Sequence, residues 1–269
     1  MLFRSYIVNG NPNLLPTYSH NFNVDFYTWE LITGRNLWTS VGYTATQHGF
    51  SNDVSYDSYG KTTSTPLNTD GNFNAYGYMG MGFPILDKVV EFQPNLNFQY
   101  NNSISFINKV KNTTRDFSPN GGIDIGIETD TIEIHLGGNI NYNSVSSTLN
   151  TKSDQNYYTT AYSASVEFTF PGKFRIESDA TYNKTYGRED KYNIKYLIWN
   201  ASLSETFLKS ENLVLSASVN DMLNENITTY RNTQDNVTSD VKTHVIGRYF
   251  LFKLQFKFNS NKDKNDDGE

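Results

Sequence analysis

The chain has 269 residues, a formal net charge of -6 and no cysteine. A negative balance without a basic stripe argues against a nucleic-acid partner. The lack of Cys excludes a disulfide framework, a thiolate nucleophile and a cysteine metal site.

Charged residues are 19% and aromatics 15%, led by 19 Tyr and 18 Phe. That is too aromatic for disorder and suits strands facing two different solvents. Met1 begins MLFRSY, without the basic and then apolar regions of a signal peptide. No run of about 18 apolar residues exists, so no transmembrane helix is expected.

The first element is punctuation: Gly10 to Pro16 holds two prolines and two asparagines beside the glycine. Apolar and polar residues then alternate up to a short turn at Glu30 to Gly34. A long polar connection, Gln47 to Gly71, follows. Phe73, Ala75, Met79, Met81 and Phe83 lead into the turn Pro84 to Asp87, and Val90, Phe92, Leu96, Phe98 and Tyr100 leave it. Pro94 has no N–H to donate, so a bulge or a weakly paired position is expected there. Gly77, Gly80 and Gly82 lie on an alternating strand rather than opening a helix. They read as residues that ease curvature, not as a phosphate loop.

A second long connection spans Asn101 to Pro119. The clearest hairpin comes next: Ile123, Ile125 and Ile127, a turn at Thr129 to Thr131, then Ile132, Ile134, Leu136, Gly138, Ile140 and Tyr142. Period-two alternation of this length means strand. After a polar connection near Thr148 to Asn156 the pattern repeats with Tyr162, Ala164, Val166, Phe168 and Phe170. Pro171-Gly172 turns the chain into Phe174, Ile176, Ala180 and Tyr182. Beyond Gly187 to Lys191 come Leu197, Trp199, Ala201 and Leu203, a turn at Lys209 to Asn212, then Leu213, Leu215, Ala217 and Val219. Asp221 to Thr243 is the last long connection. Phe250, Phe252, Leu254, Phe256 and Phe258 end the pattern against Lys253, Gln255 and Lys257.

This amounts to about 11–12 strands of about 10 to 15 residues, where crossing a bilayer takes about nine to eleven tilted residues. Short turns alternate with mostly long polar connections. An all-β, antiparallel, up-and-down transmembrane β-barrel has this pattern. Trp29, Phe83, Phe168, Phe170, Phe174, Phe207 and Phe258 sit beside the short turns, where an interfacial girdle belongs. A soluble β-sandwich also alternates apolar-in with polar-out, and is the competing fold.

No catalytic constellation emerges, so neither an enzyme nor a cofactor is expected. His20, His48, His135 and His244 show no metal spacing. Asp124, Glu128, Glu133 and His135 share the polar face of one hairpin and read as lumenal groups rather than an acid–base pair. Asp263, Asn265, Asp267 and Gly268 match half of a calcium loop and read as a solvated tail. Asp53, Tyr56, Asp57 and Tyr59 combine stacking rings with acceptors in a long connection. They are the candidate contacts for a sugar or a chelate.

Three stretches resemble one family. "GNPNLLPTYSHNFNVDFY", from Gly10, is similar to the GNP-x-L-x-P-E-x-S stretch of TonB-dependent outer-membrane receptors, with Thr17 in place of the common Glu. "NASLSETFLKSENLVLSASVNDMLNEN", from Asn200, resembles the strand–turn–strand near the end of those barrels in Bacteroidetes-type members. "GRYFLFKLQFKF" resembles their closing strand. The resemblance implies that Gly247, Tyr249, Phe256 and Phe258 belong to the strand read by the barrel-assembly machinery. It also implies uptake of a nutrient or metal chelate, without catalysis.

Family members carry a signal peptide, a TonB box and a plug inside a barrel of about 22 strands. About half of those strands are recognisable here. The expectation is therefore the C-terminal barrel portion at 1–258 with a polar tail at 259–269. Its partners would be outer-membrane lipid, the assembly machinery, a surface substrate-binding lipoprotein and, only through a plug, the TonB system. A small passive pore or structural barrel is the alternative.

Overall fold

The computed structural model describes residues 6–258 apart from 87–88, 150–153, 189, 209–211, 227, 235–236 and 244. The tail with its half calcium loop, His244 and most of the turn at 209–212 lie outside the described residues.

The elements are β1 (Tyr6–Val8), β2 (Tyr18–Trp29), β3 (Asn36–Gln47), β4 (Gly49–Tyr56), β5 (Thr62–Thr69), β6 (Asn72–Ile85), β7 (Val90–Ile107) and β8 (Val110–Glu128). They continue with β9 (Ile132–Ser147), β10 (Gln155–Phe170), β11 (Phe174–Tyr186), β12 (Lys195–Phe207), β13 (Leu213–Asn220), β14 (Thr228–Gln234), β15 (Val237–Thr243) and β16 (Tyr249–Phe256). No helix among the described residues is long and apolar enough to cross a membrane.

Fourteen strands form one sheet, and β14 and β15 form a separate hairpin. Setting β1, β4 and β5 aside leaves an eleven-strand antiparallel meander, β2-β3-β6-β7-β8-β9-β10-β11-β12-β13-β16. The wall is thus an up-and-down antiparallel sheet, as its alternation requires.

Register carries each apolar series onto one face. Ile125 and Ile127 pair with Leu136 and Ile134, which pair in turn with Ala164 and Val166. At the other end of the sheet, Leu215, Ala217 and Val219 face Leu254, Phe252 and Phe250. A one-residue slip would turn every one of these side chains to the opposite face, so the pattern fixes the register.

Among the described residues nothing covers that apolar face. Among the described residues Ile104, 6% exposed, is the one buried apolar side chain, while Leu254 is 71% exposed. A β-sandwich would bury one face of each sheet; this arrangement does not. The apolar face must be solvated by something other than protein or water.

At Pro94 the β6–β7 ladder skips the pairs between Gly80↔Asn95 and Phe83↔Phe92 and resumes in the same register. The position is weakly paired, without a bulge. Glycine serves close approach more than bending. Gly42 pairs with Tyr76, Gly80 with Trp38 and Gly77 with Phe98, and in each pair the ring lies where a Cβ would stand.

The two rims differ from the sequence expectation in one respect. The short turns are short: Glu30 N–H donates to Arg35 O at 2.8 Å, and Lys173 N–H to Phe170 O at 3.1 Å. The long polar connections, however, are largely strand. Residues 49–69 fold as the β4–β5 hairpin, and residues 101–119 extend β7 and β8 to a two-residue turn at Asn108-Lys109. Both turn residues have positive φ, 49° and 66°, the primed geometry that matches strand twist. Polar Asn, Ser and Thr strands paired with each other lack the apolar alternation by which strands are read from sequence. Trp29 also departs from expectation. It pairs with Asn36, which pairs with Gly82, so it lies on the polar face and outside the girdle.

Candidate functional site: the polar face and the extended rim

The polar face is bound together across strands. On β8 and β9, His135 Nε2 lies 2.9 Å from Glu133 Oε1, and its Nδ1 lies 3.6 Å from Asp124 Oδ1. Arg175 Nε is 3.0 Å from Glu167 Oε1. Asn200 Nδ2 donates to Asp179 Oδ2 at 2.8 Å, and Ser202 Oγ to Glu177 Oε2 at 3.2 Å. Asp124, Glu133 and His135 therefore sit where the alternation puts them, on a hydrated face with near neighbours.

Near the short-turn rim this face holds a cleft of about 350 Å³ lined by Lys173, Arg175, Lys257, Ser204, Thr206 and Gln255. Cations and hydroxyls there suit anionic groups. Such a face can line an aqueous path.

The apolar face carries an aromatic row at each end. The rings of Phe168, Phe170 and Phe174 follow one another at 4.2 Å, edge to face, and 5.7 Å, tilted, beside the Pro171 turn. Tyr43, Phe73, Tyr100 and Phe117 follow one another at 5.6–6.3 Å across β3, β6, β7 and β8 toward the extended rim. Tyr142, Tyr158 and Tyr186 continue the row at 4.8 and 5.3 Å. Sequence reading found the first row and missed the second. The signal was present: tyrosines recur in phase at the strand ends away from the short turns.

The extended rim is a built structure. The β4–β5 hairpin leans on β7 through a short parallel pairing at Asp53↔Phe106 and Val54↔Ile107, and β1 adds to β5. Asn112, 0% exposed, is its hub. Its Oδ1 accepts Ser147 Oγ at 2.8 Å, Leu149 N–H at 3.0 Å and Thr148 Oγ1 at 3.2 Å. The Gly10–Pro16 segment is a strap over this hairpin. Asn11 Nδ2 donates to Pro66 O at 2.9 Å, Leu15 N–H to Asn68 Oδ1 at 2.7 Å, and Thr17 Oγ1 to His48 O at 2.9 Å.

The candidate ligand residues lie on this arm but divide into two kinds. Asp53 Oδ1 accepts Lys109 N–H at 2.9 Å, and Asp57 Oδ1 accepts the N–H groups of Tyr59 and Lys61, each at 2.9 Å. Those carboxylates hold turns. Tyr56 and Tyr59 project from the arm, Tyr59 being 89% exposed.

In the last strand, Tyr249 pairs with Asn220 and Phe256 with Leu213, and the Phe256 and Phe258 rings lie 4.5 Å apart. Gly247 precedes the strand. It packs against Asn224, whose Oδ1 accepts Arg248 N–H at 2.9 Å.

A single antiparallel sheet, apolar on one side, polar on the other and ringed by aromatics at both levels, is the wall of a transmembrane β-barrel. The chain belongs to the outer membrane protein beta-barrel family, whose model matches residues 4–258. It is an outer-membrane protein. No curated protein and no solved structure matches it. The short-turn rim accordingly faces the periplasm and the extended rim the cell exterior.

Proposed function

We propose that this chain is the C-terminal barrel portion of a TonB-dependent outer-membrane receptor that imports a nutrient or a metal chelate and catalyses no reaction. The observation that carries the reading is the strap at Gly10–Pro16. It resembles the receptor stretch in sequence and ties an exterior hairpin to the first wall strand. The likenesses at Asn200–Asn226 and Gly247–Phe258 follow it in the family's order. In this reading the polar face lines the path, and Tyr56 and Tyr59 meet the ligand outside. Residues 1–258 belong to the barrel and 259–269 to a tail. A plug supplies the link to TonB, a surface lipoprotein delivers substrate, and the assembly machinery reads the last strand.

The test is energised uptake in cells producing the parent protein, using radiolabelled oligosaccharides and ferric chelates as probes. Uptake of one probe should fall to background with an uncoupler or on deletion of TonB. Uptake that persists under both conditions identifies a passive pore instead. Binding should weaken about tenfold in Tyr56→Ala/Tyr59→Ala if these rings stack on the ligand, about 1–1.5 kcal/mol in free energy. Unchanged affinity removes them from the site.

A further inference from the structure

The lipid face of the wall is not smooth. Across β3 to β10 it holds an oblique groove of about 680 Å³, within the range of about 300–1,000 Å³ that small-molecule sites occupy. Glycine keeps its floor low. The Phe98 ring lies where a side chain at Gly77 would stand, and Leu96 Cδ2 lies 3.2 Å from the place of a Cβ at Gly121. Met79 bounds the groove on one side, and Ile140 and Tyr158 on the other. Leu96, Phe98, Ile140 and Tyr158 are all exposed.

The groove climbs toward the exterior. Met79 lies six residues from the periplasmic end of β6 at Ile85, and Tyr158 twelve from that of β10 at Phe170. Its upper end is Phe117 and Tyr158, in the exterior aromatic row, which marks the level of the outer-leaflet headgroups. Two cations stand beside that end on the same face. Arg115 is two residues beyond Phe117 on β8, roughly 7 Å along the strand. Lys184 pairs with Thr160, which pairs with Ile140. Its Nζ is 5.7 Å from the centre of the Tyr186 ring, and that ring stacks on Tyr158 at 5.3 Å. Among the described residues neither cation forms an ion pair.

A gap in a wall that faces hydrocarbon forfeits dispersion contacts unless something fills it. At this depth the medium offers acyl chains. A chain lying in the groove touches protein on its flanks as well as beneath, which a flat wall does not allow. Its headgroup then arrives at the level of Arg115 and Lys184, and cations of this kind pair with phosphate. We infer that the groove is a binding site for one acyl chain of an outer-leaflet lipid whose headgroup is a net-negative phosphate ester. The groove holds the chain and the cations select the lipid, because a zwitterionic headgroup brings them no net counter-charge. The inference uses the lipid-facing wall alone, so it holds for an energised receptor and for a passive pore alike.

The test is lipid immobilisation read by electron paramagnetic resonance. The protein, purified from outer membranes of cells producing it, is reconstituted into phosphatidylcholine vesicles. A trace of phosphatidylglycerol or of phosphatidylcholine carries a nitroxide near its chain terminus. Phosphatidylglycerol should show a strongly immobilised component, with about tenfold higher affinity than phosphatidylcholine. Gly121→Leu fills the groove and should remove that component. Met79→Trp fills it from the side and takes its place if the glycine variant gives no heat-modifiable protein. Arg115→Gln/Lys184→Gln should keep a chain immobilised but bring the two lipids to equal affinity. Equal affinity in the unaltered protein, selectivity unchanged in the double variant, or immobilisation unchanged by a filled groove each overturns the inference. So does a dimer that the filling variants dissociate, with no lipid immobilised, since a second copy would then occupy the groove.

Discussion

The wall and the exterior arm are both β-structure, yet different forces hold them. In the wall, Leu254 or Ile125 contributes by facing lipid, and its neighbours in register do the same. In the arm, side-chain hydrogen bonds replace apolar contact: Asn112 gathers three donors on one oxygen, and Asn68 ties Leu15 to His48. Where the surroundings are hydrocarbon, solvent specifies the fold. Where they are water, the fold must specify itself residue by residue. Errors in the wall should therefore be felt throughout the sheet, and errors in the arm only locally.

The largest contrast is expected within the wall. Leu254→Arg places a charge on the lipid face and should cost about 2–4 kcal/mol near the midplane, less near an interface. Gln255→Arg adds the same charge to the watery face and should cost little. In outer membranes of cells producing the protein, the first should abolish most heat-modifiable protein and the second should retain it. Equal damage would mean that the faces are assigned the wrong way round.

Next comes close packing. Gly80→Val drives two methyl groups into the Trp38 ring and should destabilise by about 1–3 kcal/mol. Gly10→Val, in the strap, meets no atom within 4 Å and should be nearly silent. Urea midpoints in detergent decide between them.

The arm should break without the wall. Asn112→Ala leaves its donors unsatisfied, a loss of about 1–3 kcal/mol confined to the tips of β7, β8 and β9. The expected result is faster exterior proteolysis near residues 105–114, with an unchanged melting transition for the wall. A lowered wall transition would show that the two regions fold as one unit. Smallest at equilibrium is Phe258→Ala. It should slow assembly in cells while leaving the refolded protein's stability within about 0.5 kcal/mol, as a surface change does.

The wall was legible because each strand repeats one rule. From Ile123 to Tyr142 every second residue states the face, and the structure returns the same pairs. The arm was not. Thr62-Thr63-Ser64-Thr65 and Lys111-Asn112-Thr113-Thr114 carry no alternation, and both read as loop although both are strand. Their side chains are held by donors more than thirty residues away in the chain: Asn9 donates to Thr65, and Ser147 to Asn112. The rings at Tyr56 and Tyr59 could be proposed from composition. That Asp53 and Asp57 already spend an oxygen on backbone N–H groups could not.

The two aromatic rows also set a length. Along β10, Tyr158 belongs to the exterior row and Phe168 to the periplasmic one. The ten or so residues between them, at roughly 3.4 Å each, cover about 34 Å of strand, and a tilt of about 45° reduces that to about 24 Å of height. The protein thus carries its own gauge of bilayer thickness. A membrane several ångströms thicker would pull lipid tails past the tyrosines or force the sheet to stand more upright, at a fraction of a kcal/mol per ångström of mismatch. Spread over the circumference of the wall, that penalty acts as a sorting signal. It favours the thin outer membrane over any thicker bilayer the chain encounters.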